Sequence, residues 1–179
     1  MSKVPPSNWY SIPGYRNKSI WNIKRKNIAS SALTPSDTHH VKIKALVITC
    51  MDFRLIDDAV YFFNNLNYRN EYDEFILAGA SLGYNQTTYP AWRETLEQHI
   101  ELSQELHNIS EIIIVDHMDC GAYKKIYQSE YPELSEQQEL ILHKENAAKF
   151  RKSILAKPKF ENLKITTFLM YLDGRVITI

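Results

Sequence analysis

Two short apolar runs, each followed by a cysteine, constrain this chain more than any other feature. Ala45-Leu46-Val47-Ile48 leads into Thr49-Cys50-Met51-Asp52-Phe53-Arg54. Ile112-Ile113-Ile114-Val115 leads into Asp116-His117-Met118-Asp119-Cys120-Gly121. Continuous runs of this kind suit strands covered on both faces, as in a parallel sheet. In such sheets a site forms outside the carboxyl ends of the strands. Two strand ends therefore each deliver a thiol to one edge, and one of them adds an imidazole.

The rest of the chain fits that frame. Lys42 to Thr49 reads as the first strand and Asp57 to Asn65 as a helix. Glu74 to Ala80 reads as the second strand, running into a loop at Ser81-Leu82-Gly83-Tyr84-Asn85, which is rich in turn formers. Thr88-Tyr89-Pro90 opens a helix, with Thr88 placed as its cap. Trp92, Leu96, His99, Leu102 and Leu106 recur at steps of three and four and define its inward stripe. After the strand at Ile112 to Val115 comes a long helix, Ser135 to Ala156, with Leu140, Ala147 and Ile154 on one side. Lys164 to Tyr171 reads as the fourth strand, and Asp173-Gly174 turns it back into Arg175 to Ile179 as a hairpin. Strands alternate with helices, so the expected fold is α/β, a mainly parallel central sheet flanked by helices.

Residues 1–40 differ in character and are expected to form an N-terminal arm ahead of a zinc-binding α/β catalytic domain at 41–179. The arm carries Pro5, Pro6, Pro13 and Pro35, with Trp9, Tyr10, Tyr15 and Trp21 between them. Its basic residues Lys3, Arg16, Lys18, Lys24, Arg25 and Lys26 face one acid, Asp37. Ser19 to Ala32 carries a faint helical pattern. The aromatics are too scattered for a nucleic-acid module, so packing on the domain or on a second subunit is the expectation. Formal net charge over the whole chain is zero, which argues against nucleic acid or a membrane surface as partner. No run approaches the roughly 20 apolar residues of a membrane span, and Met1 to Pro6 lacks the apolar core of a signal peptide. Two cysteines are too few for a disulfide framework. The expected compartment is reducing and cytoplasmic, with both thiols free to bind metal.

Cys50, His117 and Cys120 supply the sulfur and nitrogen ligands that zinc prefers in a tetrahedron. Three protein ligands leave a fourth position, the mark of a catalytic rather than a structural site. Asp52 and Arg54 alternate with Cys50, so all three can share one face of an extended segment. Arg54 would hold Asp52 ionised, and Asp52 would orient an oxygen at the metal or swing onto the metal as a fourth ligand. Zinc lowers the pKa of bound water from 15.7 to roughly 7, which makes hydroxide available to attack a small electrophilic carbon. Taken singly, each residue has an ordinary explanation: a core thiol, a loop histidine, a surface ion pair. Together, at adjacent strand ends, those explanations weaken. His39, His40, His107 and His143 are read as surface residues, and His99 as a packed one. Asp116 and Asp119 read either as outer partners of the site or as solvated residues.

Cys50-Met51-Asp52-Phe53-Arg54 followed by His117-Met118-Asp119-Cys120-Gly121 resembles the β-class carbonic anhydrase family, which carries Cys-x-Asp-x-Arg and later His-x-x-Cys-Gly. The resemblance spans about Val41 to Ile179. It implies Zn2+ on Cys50, His117 and Cys120, an Asp52–Arg54 dyad, and reversible hydration of carbon dioxide to bicarbonate. It also implies a homodimer or dimer-based oligomer, with the arm reaching across to the partner. Three departures stand out. Leu77-Ala78-Gly79-Ala80-Ser81 replaces the usual Arg-Asn-Ala-Gly run, Asp116 stands where glycine is common, and Phe53 replaces a small residue. The first lines the substrate pocket and keeps a hydrolase open, while the basic aromatic arm and the cysteine pair keep open two readings of other classes. The three are a zinc hydrolase of carbonyl sulfide or carbon disulfide, a non-catalytic zinc-stabilised binding protein, and a Cys50–Cys120 redox couple.

Overall fold

The computed structural model describes residues 43–179. The expectations for the 1–40 arm, its helical stretch at 19–32, His39 and His40 lie outside the described residues. The domain begins with strand β1 (Ala45–Thr49), helix α1 (Ile56–Asn65), β2 (Tyr72–Ile76) and a five-residue helix α2 (Ser81–Asn85). Then come α3 (Ala91–His107), β3 (Glu111–His117), α4 (Gly121–Tyr127) and α5 (Glu136–Leu155). A short 3-10 turn at Pro158–Phe160, β4 (Lys164–Met170) and β5 (Val176–Thr178) complete it.

The five strands form one sheet in the order β2-β1-β3-β4-β5. The first three pairings are parallel, and β5 returns antiparallel to β4 through the Asp173-Gly174 turn. The α/β expectation and the terminal hairpin are both met. β1 and β3 are buried along their whole length because they occupy interior positions of the sheet, covered on both faces.

The pleat sorts their side chains by parity. Even-numbered Leu46, Ile48, Ile112 and Ile114 join Leu96 and Ile100 of α3 and Phe150 and Ile154 of α5 in the larger core. Odd-numbered Ala45, Val47, Ile113 and Val115 face Leu55, Ala59 and Phe63 on the α1 side. Helices therefore cover both faces, and each βα connection rises from the same edge. Register puts Thr49 beside Val115 and Ile76, so the chain leaves β1, β2 and β3 at nearly the same level.

Several local expectations are corrected. Ser81 to Asn85 is a short buried helix rather than a loop. Gly83 is there for close approach: a Cβ on it would lie 2.6 Å from the Ala78 carbonyl oxygen and from Leu77 Cγ. Pro90, with no side-chain cap, precedes α3 in place of Thr88. The buried face of α3 is Leu96, Ile100 and Ser103, while Leu102 and Leu106 are exposed at 48% and 70%. Steps of four and three from Leu96 select 100 and 103, and the apolar residues at 102 and 106 fall beside that stripe. His99 is exposed yet touches the Phe75 ring, with centroids 4.6 Å apart. The α5 cap at Ser135 is a full capping box with Gln138.

At the far end of β3, Glu111 is buried and accepts from Tyr68 Oη (2.7 Å), Thr166 Oγ1 (2.6 Å) and Lys164 Nζ (2.8 Å). Burial raises its carboxyl pKa, but the bonds from Lys164, Thr166 and Tyr68 outweigh that and hold it below the ordinary range. The stabilisation is therefore present above the ordinary glutamate value of roughly 4.3 and is lost as pH falls through the lower folded value. Glu111→Gln is expected to cost about 1–3 kcal/mol at pH 7. In denaturant unfolding, that gap from wild type should close in acid; a gap that persists undiminished would contradict this account of Glu111.

Candidate metal centre

Cys50 leaves the end of β1, His117 is the last residue of β3, and Cys120 directly precedes α4. Their ligand atoms all lie within 4.8 Å of one another. The two sulfurs are 3.9 Å apart. Two sulfurs bound at about 2.3 Å to one tetrahedral ion would be separated by about 3.8 Å, so the spacing suits a shared zinc. His117 is 1% exposed, and its Nδ1 donates to the Met118 carbonyl oxygen at 2.9 Å. Its Nε2 is then left with a lone pair, and that atom is buried without a hydrogen-bond partner. An orphaned imidazole nitrogen whose other nitrogen is fixed by a carbonyl is the usual posture of a metal-binding histidine.

The electrostatics point the same way. The Cys120 thiol donates to Cys50 and lowers its pKa against the opposing effect of burial, with help from His117 and the Gly79 amide. The bond to Cys50, joined by burial and the Cys50 charge, pushes Cys120 upward. Burial disfavours protonated His117, but Cys50 outweighs it and raises that histidine, so the thiolate draws positive charge to Nε2, a proton in the metal-free chain and a metal ion in its place when one binds. Two buried thiols at this distance cannot both ionise unless a cation sits between them, so the set fits a dication.

Asp52 and Arg54 form the bidentate pair expected of them. Arg54 Nε and its backbone amide donate to Asp52 Oδ1 at 2.9 and 3.0 Å, and Nη2 donates to Oδ2 at 2.7 Å. The guanidinium lowers the Asp52 carboxyl to about 2. Asp52 Oδ2 lies 3.8 Å from His117 Nε2, close to the ligand cluster. Arg54 also reaches the second cysteine turn, donating through Nη1 to Asp119 Oδ2 (2.7 Å) and through Nη2 to the Asp119 carbonyl (2.9 Å). Lys124 pairs with the same carboxylate. Of the two sequence readings of Asp119, the partner role is the one realised: it cross-links the two turns at a left-handed φ of 60°.

Three contributors lie outside the two short motifs. The Gly79 amide donates to Cys50 Sγ at 3.3 Å, from a turn where Gly79 and Ala80 have φ of 74° and 40°. Glu139 accepts from the Cys120 amide at 2.7 Å and the Asp119 amide at 3.0 Å. His143, expected at the surface, is fully buried beside Asp116. A signal for the last was available. Asp116 is an even-numbered residue of a fully buried strand, so its carboxylate had to face α5 and find partners there. His107 behaves as expected, exposed and paired with Asp73 at 2.8 Å.

Above the cluster opens a cavity of about 530 Å³ with Cys50, Asp52 and Cys120 among its lining residues. Phe53, Leu82, Tyr89, Trp92, Ala122 and Ile126 form much of its mainly apolar wall. Tyr89 and Trp92 stack there at 4.5 Å.

Residues 40–153 match the model of a family described as "Putative carbonic anhydrase". An uncharacterised protein of Rickettsia bellii (strain RML369-C) is 45% identical over 129 residues, covering 72% of this chain and 77% of the relative. An uncharacterised protein of Rickettsia conorii (strain ATCC VR-613 / Malish 7) is 38% identical over 160 residues, covering 89% and 81%. Among solved structures, the β-carbonic anhydrase CcaA aligns with a TM-score of 0.61 at 16% identity, covering 89% of this chain and 91% of that one. The β-carbonic anhydrase CafA of Aspergillus fumigatus aligns at 0.59 and 14%, covering 90% and 89%. A chain from work on two tetrameric β-carbonic anhydrases of Sordaria macrospora aligns at 0.59 and 13%, covering 90% and 92%. At these identities the structural likeness speaks for the fold.

Proposed function

The chain belongs to this carbonic anhydrase family, as a divergent member with the β-class fold, and from that premise we propose that it is a zinc-dependent lyase hydrating carbon dioxide reversibly to bicarbonate. The observation that carries the reading is the buried, unpartnered Nε2 of His117 beside two thiols 3.9 Å apart. Cys50, His117 and Cys120 would hold the ion. Zinc bound there supplies the Lewis acidity that makes water nucleophilic near neutral pH.

This chain's own residues do the rest. Asp52, kept ionised by Arg54, accepts a hydrogen bond at Oδ2 and orients the attacking oxygen. The bidentate grip of Arg54 keeps that carboxylate beside the ligands without adding it to them, which supports the open form over Asp52 as fourth ligand. The mainly apolar wall of Phe53, Leu82, Tyr89, Trp92 and Ile126 suits an uncharged, linear substrate. Two thiolate donors give the ion more charge than imidazoles would, so hydration is expected to rise between about pH 7 and 9. Stopped-flow hydration with zinc-loaded protein tests this; a rate no higher than background across that range would sink it.

The same apolar wall, with Ala78 in the strand-two turn, favours one second reading: hydrolysis of carbonyl sulfide or carbon disulfide. A substrate panel with sulfide detection separates the two. Around this edge Met51, Phe53, Ile56 and Ile76 are exposed at 67%, 81%, 59% and 56%, which supports a homodimer or dimer-based oligomer in which a second copy covers them, with residues 1–40 as the arm that reaches across. A cytoplasmic setting accords with two free thiols. Among the described residues no helix is long and apolar enough to cross a membrane.

A further inference from the structure

Behind the two thiols lies a buried charged cluster that none of the chemistry above uses. Asp116, Glu139 and His143 are 1%, 4% and 0% exposed. Asp116 accepts from the Ser81 amide (3.0 Å), Ser81 Oγ (2.5 Å), Tyr123 Oη (3.3 Å) and His143 Nδ1 (3.2 Å). The other nitrogen of His143 lies 3.7 Å from Glu139 Oε1, the oxygen that also takes the Cys120 amide. His143 thus stands between two carboxylates, each gripping a different side of the metal centre. Glu139 fixes the turn carrying Cys120. Asp116 fixes Ser81, which ends the turn whose Gly79 amide donates to Cys50 Sγ at 3.3 Å. In that turn Ala80 sits at φ 40°, ψ −100°, a conformation that persists only where surrounding contacts over-determine it.

A buried ionic cluster is weak support for stability, since apolar side chains of similar volume often serve as well or better. Its value here is placement. Ligands to a metal are tuned by partners one shell out, whose loss costs about 10–100-fold in affinity. We propose that Asp116, His143 and Glu139 form a positioning unit that sets the Cys50 and Cys120 sulfurs at metal-binding separation, with His143 as its hub. The proposal rests on the metal reading above, and it assigns a use to Asp116 at the position where glycine is common in the resembling family. Burial opposes a proton on His143, but its bond to Asp116 and the nearby Glu139 carboxylate outweigh it and raise its pKa, so the buried Nε2, which has no hydrogen-bond partner of its own, faces Glu139 through charge at 3.7 Å.

The test uses the full chain as His143→Ala, His143→Asn, Glu139→Gln and, as a stability control on the same helix, Ile154→Ala. Zinc affinity is read by chelator competition, sulfur placement by the thiolate-to-cobalt charge-transfer band of the Co(II)-loaded protein, and stability by thermal unfolding of the metal-free form. His143→Ala and Glu139→Gln are expected to weaken zinc binding about 10–100-fold and to shift the cobalt band. His143→Asn, whose amide can still donate to Asp116, is expected to recover most of the affinity. Ile154→Ala should lower the melting temperature while leaving the affinity and the band unchanged. Wild-type binding and spectra in His143→Ala and Glu139→Gln would overturn the proposal, as would affinity losses that merely track melting temperature across all four variants. If the wild type itself gave no thiolate–cobalt band, the metal reading would fall first and this proposal with it.

Discussion

Asp52→Asn is expected to lower kcat/KM for hydration by about 100-fold or more, the range set by loss of a positioned proton-accepting group, while zinc content stays at the wild-type level. The carboxylate is held by three donors of Arg54 and stands 3.8 Å from His117 Nε2. An asparagine there offers one oxygen and one amide donor, so it loses both the charge and the acceptor geometry. Arg54 keeps its two bonds to Asp119, so the two cysteine turns remain tied. The loss should therefore fall on turnover rather than on folding or metal binding. Since Asp52 titrates at about 2, it is ionised throughout the neutral range. Its contribution fades only as pH falls toward 2, so its own titration adds no limb near neutrality, and loss of its negative charge beside the metal position should move the rise of hydration to lower pH in this variant. Turnover that survives Asp52→Asn unchanged would favour a non-catalytic zinc site.

Cys120→Ser is expected to have the larger effect on the metal itself. Cys120 is 1% exposed, 3.9 Å from Cys50, and its amide is pinned by Glu139. A serine in that place offers a hydroxyl that stays protonated, a poor zinc ligand. Zinc affinity should fall by more than the roughly 100-fold upper range seen when only an outer partner is lost. Binding to the folded state alone stabilises that state, so chelation should lower the melting temperature of the wild type and leave Cys120→Ser unmoved. Equal sensitivity to chelator in both proteins would remove Cys120 from the ligand set.

Much of this architecture can be read directly from local sequence. Ala45 to Ile48 and Ile112 to Val115 are interior strands because nothing polar interrupts them, and each ligand lies within two residues of a strand end or of the next helix. The Asp52–Arg54 pair is likewise local, two residues apart. What escaped depends on tertiary approach. Ser81 to Asn85 has the composition of a turn, yet Gly83 is there to let α2 lie against Leu77 and Ala78. Leu102 and Leu106 extend an apolar stripe on paper, but the sheet meets α3 along Leu96, Ile100 and Ser103. His143 looks like one polar residue of a polar helix. Its setting is decided by Asp116, 27 residues away, and by Glu139, whose other bonds go to the Cys120 turn. Chemistry carried by a short motif was visible, whereas chemistry assembled from α5, β3 and the Ser81 turn was not.

The most direct test of the proposed zinc site is metal analysis of the purified protein together with X-ray absorption at the zinc edge. The account predicts about one zinc per chain, with two sulfur neighbours near 2.3 Å and nitrogen or oxygen neighbours near 2.0 Å, and both cysteines protected from thiol reagents until the metal is chelated. A metal-free protein in which Cys50 and Cys120 form a reversible disulfide would contradict it.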